Sequence, residues 1–391
     1  MPAVSSETQA EQEPGRPALG RGALVALAVG LPISAALLAE AVRGTNLDDV
    51  SASLQAASPI GLLAAVLAVG LPISAALLAE AVRGTNLDDV SASLQAASPI
   101  GLLAAVLAMG AVYVLQAARW RFIARQYGDL PLPTALTYVI GGVAINNVVP
   151  GRPGELARAY WLSSYLHIPG AKGLATVIVD RAADVVTLTA CLAVTYAFVP
   201  HPAWARNVAL AAVAVGGAVL VALVACRWYV TRRQRSGKGI PERFRALWMV
   251  RQVAMLVRGA ASIVTARGAV VIGGLSIAAW ACWALAAYLT AASLSIHLSP
   301  AEALFVTAIV NLGVSIPSSP GFIGTYQWLC VSALGLFSVD RGDAFAFAVL
   351  MHAVWFVPTT IAGLVLLVRT AAIRHRRRQP ITAALGGLAP R

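Results

Sequence analysis

Two apolar runs of membrane length are each interrupted by the pattern Pro-x-x-Pro-Gly, once at Pro150-Gly151-Arg152-Pro153-Gly154 and once at Pro317-Ser318-Ser319-Pro320-Gly321. Proline lacks an amide donor and glycine weakens a helix, so each pattern predicts a helix split in two where lipid offers no replacement hydrogen bonds. Such backbone persists at depth only when it is buried in protein or lines a polar cavity. Broken helices at corresponding places in the two halves of a membrane chain point to a transporter's binding site.

The rest of the chain fits that setting. Hydrophobic residues make up 59% and charged residues 12%, and the mean hydropathy is +0.76, outside the range of soluble globular proteins. An all-α, polytopic integral membrane bundle is expected, built as an inverted repeat with two broken or re-entrant helix pairs. Cys191, Cys226, Cys282 and Cys330 lie in or beside apolar runs without metal-ligand spacing, so they read as core residues and no metal is expected.

A net charge of +12 in a soluble chain would suggest nucleic acid, but here its placement argues topology, and no nucleic-acid partner is expected. Arg119, Arg121 and Arg125 follow one apolar run; ten Lys or Arg from Arg227 to Arg267 face the single acid Glu242; and Arg369, Arg374, Arg376, Arg377 and Arg378 close the chain without an acid. The positive-inside rule predicts these three segments on the cytoplasmic side of a cell (inner) membrane, with a cytoplasmic C-terminus. Residues 1–21 read as a disordered tail, 22–374 as the membrane domain with a basic segment at 227–267, and 375–391 as a basic tail. Within 240–265, Arg243, Arg251 and Arg258 recur among Phe244, Leu247, Trp248 and Met255, the pattern of a helix lying on an anionic leaflet or of a solvated basic loop.

Residues 27–68 recur unchanged as 67–108. An old structural repeat would have drifted, so this copy reads as a recent duplication or an assembly error without function. It makes apolar runs at about 22–42, 59–82 and 99–118, joined by the identical linkers 43–58 and 83–98. Further runs at 132–149, 155–168, 173–199, 203–226, 268–293, 301–316, 322–338 and 344–368 complete the set. The pairs around the two breaks read as half-helices entering from opposite sides, or as short spanning hairpins.

Three motifs in order, Asn146-Asn147-Val-Val-Pro150-Gly-Arg152-Pro-Gly154-Glu155, Asp180-Arg181-Ala-Ala-Asp184 and Pro320-Gly321-Phe-Ile-Gly324-Thr325-Tyr326-Gln327, resemble the flippase-like family named for the transmembrane region of lysylphosphatidylglycerol synthase. The resemblance covers about residues 99–369; the family often has Glu where this chain has Asp180 and Gln327. It implies a stand-alone membrane member concerned with lipid or polyprenyl-linked glycan traffic, with lipids and a lipid- or glycan-modifying enzyme as partners. It does not imply the synthase activity of members that carry an aminoacyl-transferase domain.

The residues themselves suggest an anionic-lipid site. Half-helices beginning near Glu155 and Phe322 would aim free amides and positive dipole ends at a phosphate, and Arg152 would add a full charge. Asn146, Asn147, Asn311 and Gln327 would satisfy freed backbone or a headgroup, and Tyr326 completes the candidate substrate-binding set. Asp180, Arg181 and Asp184 fall near mid-membrane, where unpaired charges cost at least ~2.5 kcal/mol each; positions 181 and 184 share a helix face and can pair. His352 and Trp355, in the last run, could face the cavity, with core packing the favoured reading of the lone His. The expected function is a lipid flippase or transporter without cofactor or catalytic residue. A headgroup transferase using Asp180 or Asp184 as base, or a non-transporting partner subunit, are the alternatives.

Overall fold

The computed structural model describes residues 59–149, 152–196, 198, 203–236, 248–263, 265–314 and 319–386, and these are helical or connecting throughout. The expected N-terminal tail and the first copy of the duplicated block up to residue 58 lie outside the described residues. Residues 63–391 form one compact unit; of residues 1–62, only 59–62 are described, as the start of a helix.

In chain order the helices are α1 (Pro59–Val82), α2 (Leu87–Ala96), α3 (Pro99–Ala124), α4 (Leu132–Val148), α5 (Pro153–Leu166), α6 (Gly170–Tyr196), α7 (Ala203–Arg235), α8 (Trp248–Ile263), α9 (Ala266–Ser293), α10 (Pro300–Gly313), α11 (Thr325–Leu334) and α12 (Arg341–Gly386). Short 3₁₀ turns at Pro320–Phe322 and Gly335–Phe337 flank α11. α3, Ala209–Arg232 of α7, α9 and Arg341–Thr370 of α12 are long and apolar enough to cross a bilayer. α6, with 27 residues, has the length but carries Lys172, Asp180, Arg181 and Asp184.

The helices around the breaks are too short to cross. With 17, 14, 14 and 10 residues, α4, α5, α10 and α11 reach roughly 15–25 Å at 1.5 Å per residue, against a ~30 Å hydrocarbon core. They form two hairpins, as the Pro-Gly patterns predict. In the first, the arms meet backbone to backbone: a Cβ on Gly154 would lie 1.9 Å from the Gly142 carbonyl oxygen, so only glycine fits there.

The packing pattern relates two halves, α2–α6 and α8–α12. α3 lies against α9; α4 packs on α12 as α10 packs on α6; α2 packs on α12 as α8 packs on α6; α5 touches α6 as α11 touches α12. Each of these contacts recurs with the halves exchanged, which is the signature of an internal two-fold relation. Among the described residues, α3, part of α7, α9 and part of α12 are long and apolar enough to cross, and the exchange of contacts between the halves is the pattern expected of an inverted repeat.

The linker 83–98 contains a helix of its own: Asn86 accepts the amide of Asp88, and Asp88 and Asp89 sit in the first turn of α2, favourable for its dipole. α12 continues as helix to Gly386, so the described part of the basic C-terminal segment is helical.

Candidate functional site

α6 runs through the centre of the unit, and its two aspartates, one turn apart, gather three arginines. Arg119 of α3 donates from Nε to Asp180 Oδ1 at 2.8 Å, and from Nη1 both to Asp184 Oδ1 at 2.7 Å and to Ser276 Oγ of α9 at 2.7 Å. Arg158 of α5 donates to Asp180 Oδ2 at 2.9 Å and lies over the Trp120 ring at 4.5 Å. Arg181 reaches Asp184 Oδ2 at 3.3 Å and Asp180 Oδ2 at 3.4 Å. Trp280 Nε1 also donates to Asp184 Oδ1, at 3.2 Å. Charges removed from water need this density of partners, because an uncompensated one costs several kcal/mol. The cluster therefore ties α3, α5, α6 and α9 together.

Arg119 is thus not an interfacial topology marker like Arg121 and Arg125. Its side chain is completely buried and it is the main partner of both aspartates. Asp184 pairs with Arg181, as the spacing of 181 and 184 suggested, but shares that role with Arg119. Asp180 is also fully buried, spent on arginines behind the cavity wall rather than facing a substrate.

Next to the cluster lies a cavity of about 340 Å³, where both breaks meet α3, α4, α6, α9, α10 and α12. Its charged and polar lining is Gln116, Asn146, Asn147, Arg152, Glu155, Arg181, Asp184 and Asn311. Its aromatic lining is Tyr113, Trp280, Trp283, Phe322, Tyr326 and Trp355, with Trp280 against Asp184 and Phe322 under Arg152. The Trp283 and Trp355 rings are 6.3 Å apart, as are Phe322 and Trp355. The charged lining residues come from the first half and most of the aromatic ones from the second, so related halves contribute different chemistry.

At each break one backbone amide is taken by a side chain. Asn146 Oδ1 accepts the Gly154 amide at 2.7 Å while its Nδ2 donates to Glu155 Oε2 at 2.8 Å. At the second break, Gln327 Oε1 accepts the Gly324 amide at 2.7 Å, and Gln327 Nε2 meets His352 Nδ1 at 2.8 Å. Buried amides left unpaired are costly, and these amides have no lipid partner to wait for. Gln327 consequently stands behind the wall. His352 packs under Trp355, their rings 5.1 Å apart and nearly parallel, while Trp355 itself reaches the cavity.

Arg152 joins the two breaks. It takes a left-handed conformation (φ 57°) just before Pro153, donates from Nη2 to the Val314 carbonyl at 2.7 Å, and places its guanidinium over the Phe322 ring at 5.1 Å. A cation on the carbonyl end of α10 also suits that helix dipole. Asn147 donates to Thr360 of α12 at 2.8 Å, and Asn311 to the Thr307 carbonyl of its own helix at 2.9 Å. The second break is buttressed by α1: Ser74 Oγ accepts the Ser319 amide at 3.0 Å, and Gly324 (φ 88°) approaches the Ser74 carbonyl so closely that a Cβ would lie 2.0 Å from it.

Comparison with known proteins agrees with this framework. The family described as "Lysylphosphatidylglycerol synthase TM region" matches residues 67–363, starting at the second copy of the duplicated block and taking in both hairpins. A UPF0104 membrane protein of Methanocaldococcus jannaschii is 37% identical over 76 residues, 19% of this chain and 23% of that protein. The match thus spans about a quarter of that relative's length.

Proposed function

We propose that this chain, which belongs to the lysylphosphatidylglycerol synthase TM region family, binds a phosphate-bearing lipid in the cavity between its two broken hairpins and carries it across the bilayer by alternating exposure. The observation that carries the reading is the pair of arginines on the cavity wall. Arg181, midway along a helix of membrane length, and Arg152, at the first break, face a space shaped by both halves. Arginines at such depth are expensive, and a phosphate oxygen accepts their paired N–H groups well. The aromatic lining suits the apolar or weakly polar part of the same molecule. The family and its membrane setting support a lipid-related role.

Headgroup chemistry is less well supported than transport. A general base must be free to take a proton, whereas Asp180 and Asp184 each accept from arginines. The protein is therefore read as a carrier rather than an enzyme, with membrane lipids as its partners. The test is reconstitution of the full chain into liposomes containing a fluorescent phosphatidylglycerol, with accessibility of the label to an external quencher followed in time. Faster inward or outward movement than in protein-free vesicles is expected; a changed headgroup would indicate a transferase, and no movement would sink the carrier reading.

We also propose a cell-membrane orientation with α8 and the C-terminus on the cytoplasmic side. α2 and α8 occupy equivalent places in the two halves, yet α2 carries Asp88 and Asp89 while α8 carries Arg251 and Arg258. Basic residues favour the anionic inner leaflet. Single cysteines at the exposed positions Ser164, Ser236 and Asp340, introduced in a cysteine-free chain, should react with an impermeant reagent from inside, inside and outside respectively. Outside labelling at residue 236 would invert the topology.

A further inference from the structure

The hydrogen bonds behind the second break admit only one protonation state of His352. The Gly324 amide can only donate, so the Gln327 atom facing it at 2.7 Å is the carbonyl oxygen Oε1. The Gln327 amide nitrogen is thereby turned toward His352 Nδ1 at 2.8 Å, and Nδ1 must accept. The imidazole is therefore neutral, its proton on Nε2, and that nitrogen is buried without a hydrogen-bond partner in a residue only 7% exposed. The surroundings supply no counter-charge. The Tyr326 ring of α11 lies 4.9 Å away with Cys330 beside it, and Trp355 and Phe356 of α12 pack at 5.1 and 5.2 Å. Tyr113 of α3 stands beyond Tyr326, and Trp283 of α9 beyond Trp355. From α4, Asn147 bonds Thr360 instead, and Arg152 is engaged by Val314 and Phe322. Burial and the Gly321 carbonyl of the same break act on the ring, rather than any charged group.

A second proton on the ring undoes this arrangement. It would sit on Nδ1 and point at the Gln327 amide nitrogen, setting two donors face to face. Turning the Gln327 amide over gives Nδ1 an acceptor but aims its nitrogen at the Gly324 amide, so the conflict only moves. Either way Gly324 loses its acceptor, and a buried amide without one is costly. Gly324 (φ 88°) is where α11 begins and where the second break wedges against the Ser74 carbonyl of α1. We infer that His352 is a proton-binding site that holds the second broken hairpin closed when neutral and releases it when protonated. Resting on the carrier reading above, this couples the carrier's movement to protons. Tyr326 and Trp355, packed on the ring, also line the cavity, which is the proton's route. The first break has no such device: there Asn146 joins the Gly154 amide to a carboxylate, Glu155, which accepts without a proton.

Hydrogen exchange of the purified full chain in neutral detergent, read by mass spectrometry, tests the switch without any substrate. From neutral to mildly acidic pH, the range in which histidine titrates, and after correction for the chemical exchange rate, the peptide holding Gly324 should lose protection. The loss should be about tenfold or more, the scale of one hydrogen bond removed from a buried amide. The peptide holding Gly154 should keep its protection. His352→Asn sets Oδ1 in the place of Nδ1 and takes no proton, so its second break should stay protected throughout. Gln327→Glu offers an acceptor to both the Gly324 amide and a protonated ring, and should also abolish the loss. Protection that does not respond to pH in the unaltered chain would overturn the inference, as would an undiminished loss in either folded variant. In liposomes, acidification should speed phosphatidylglycerol movement by the unaltered chain and not by H352N; movement indifferent to pH would overturn the coupling. Movement by neither protein, with the exchange result intact, would remove the carrier reading and leave the proton site standing.

Discussion

Asp180→Asn will cost about 3–5 kcal/mol of stability, the range for breaking a buried ion pair from one side. Asp180 is wholly buried and receives Arg119 and Arg158 at 2.8 and 2.9 Å. Asparagine keeps the shape but removes the charge, leaving both guanidiniums short of a counter-ion where water does not reach. The effect extends beyond one helix because those arginines come from α3 and α5. Thermal unfolding in detergent should show a large fall in Tm, and size exclusion should show little dispersed protein. A variant with the Tm of the unaltered chain would mean that water reaches the cluster and that its charges are not structural.

Arg152→Ala should weaken phosphatidylglycerol binding by roughly ten- to hundredfold, the usual consequence of truncating one partner of a buried charge pair. It should also lower stability by about 1–3 kcal/mol, because Arg152 is the donor to the Val314 carbonyl and covers Phe322. Arg152→Lys separates the two effects: the charge remains for the lipid, while the planar fork that reaches carbonyl and ligand together is lost. Lysine is expected to recover most of the binding and only part of the stability. Equal loss of binding in both variants would assign Arg152 to the junction between breaks and leave Arg181 as the anion receptor.

Much of this architecture is legible in the chain because lipid leaves few options. Runs such as 268–293 are helices by length alone, and α9 occupies Ala266–Ser293; each Pro-Gly pattern marks a real hairpin. Asp180, Arg181 and Asp184 stand out because charges interrupt an apolar run. Arg119 does not, since it sits at the end of its run beside Arg121 and Arg125, where a cation is ordinarily interfacial. One signal was present: two aspartates against one arginine in mid-membrane leave a negative charge that requires another cation. Arg158 hides on a half-helix whose neighbours, Tyr160 and Leu156, are exposed. The fate of the helix-end amides was unreadable for a different reason. Whether Asn146 and Gln327 turn toward backbone or cavity depends on tertiary distances that spacing does not encode.

The reciprocal seating of α4 on α12 and α10 on α6 has a consequence for the protein's history and its melting. In each half one hairpin arm covers its own last helix, α5 on α6 and α11 on α12, while the other arm crosses to the last helix of the other half. A half expressed alone would leave the face under that second arm bare unless a second copy supplied it, so the chain has the logic of a covalently fused, intertwined dimer. A single melting transition is therefore expected, and on the proposed carrier reading the movement is a rearrangement within an interlocked whole rather than a swing of two independent lobes.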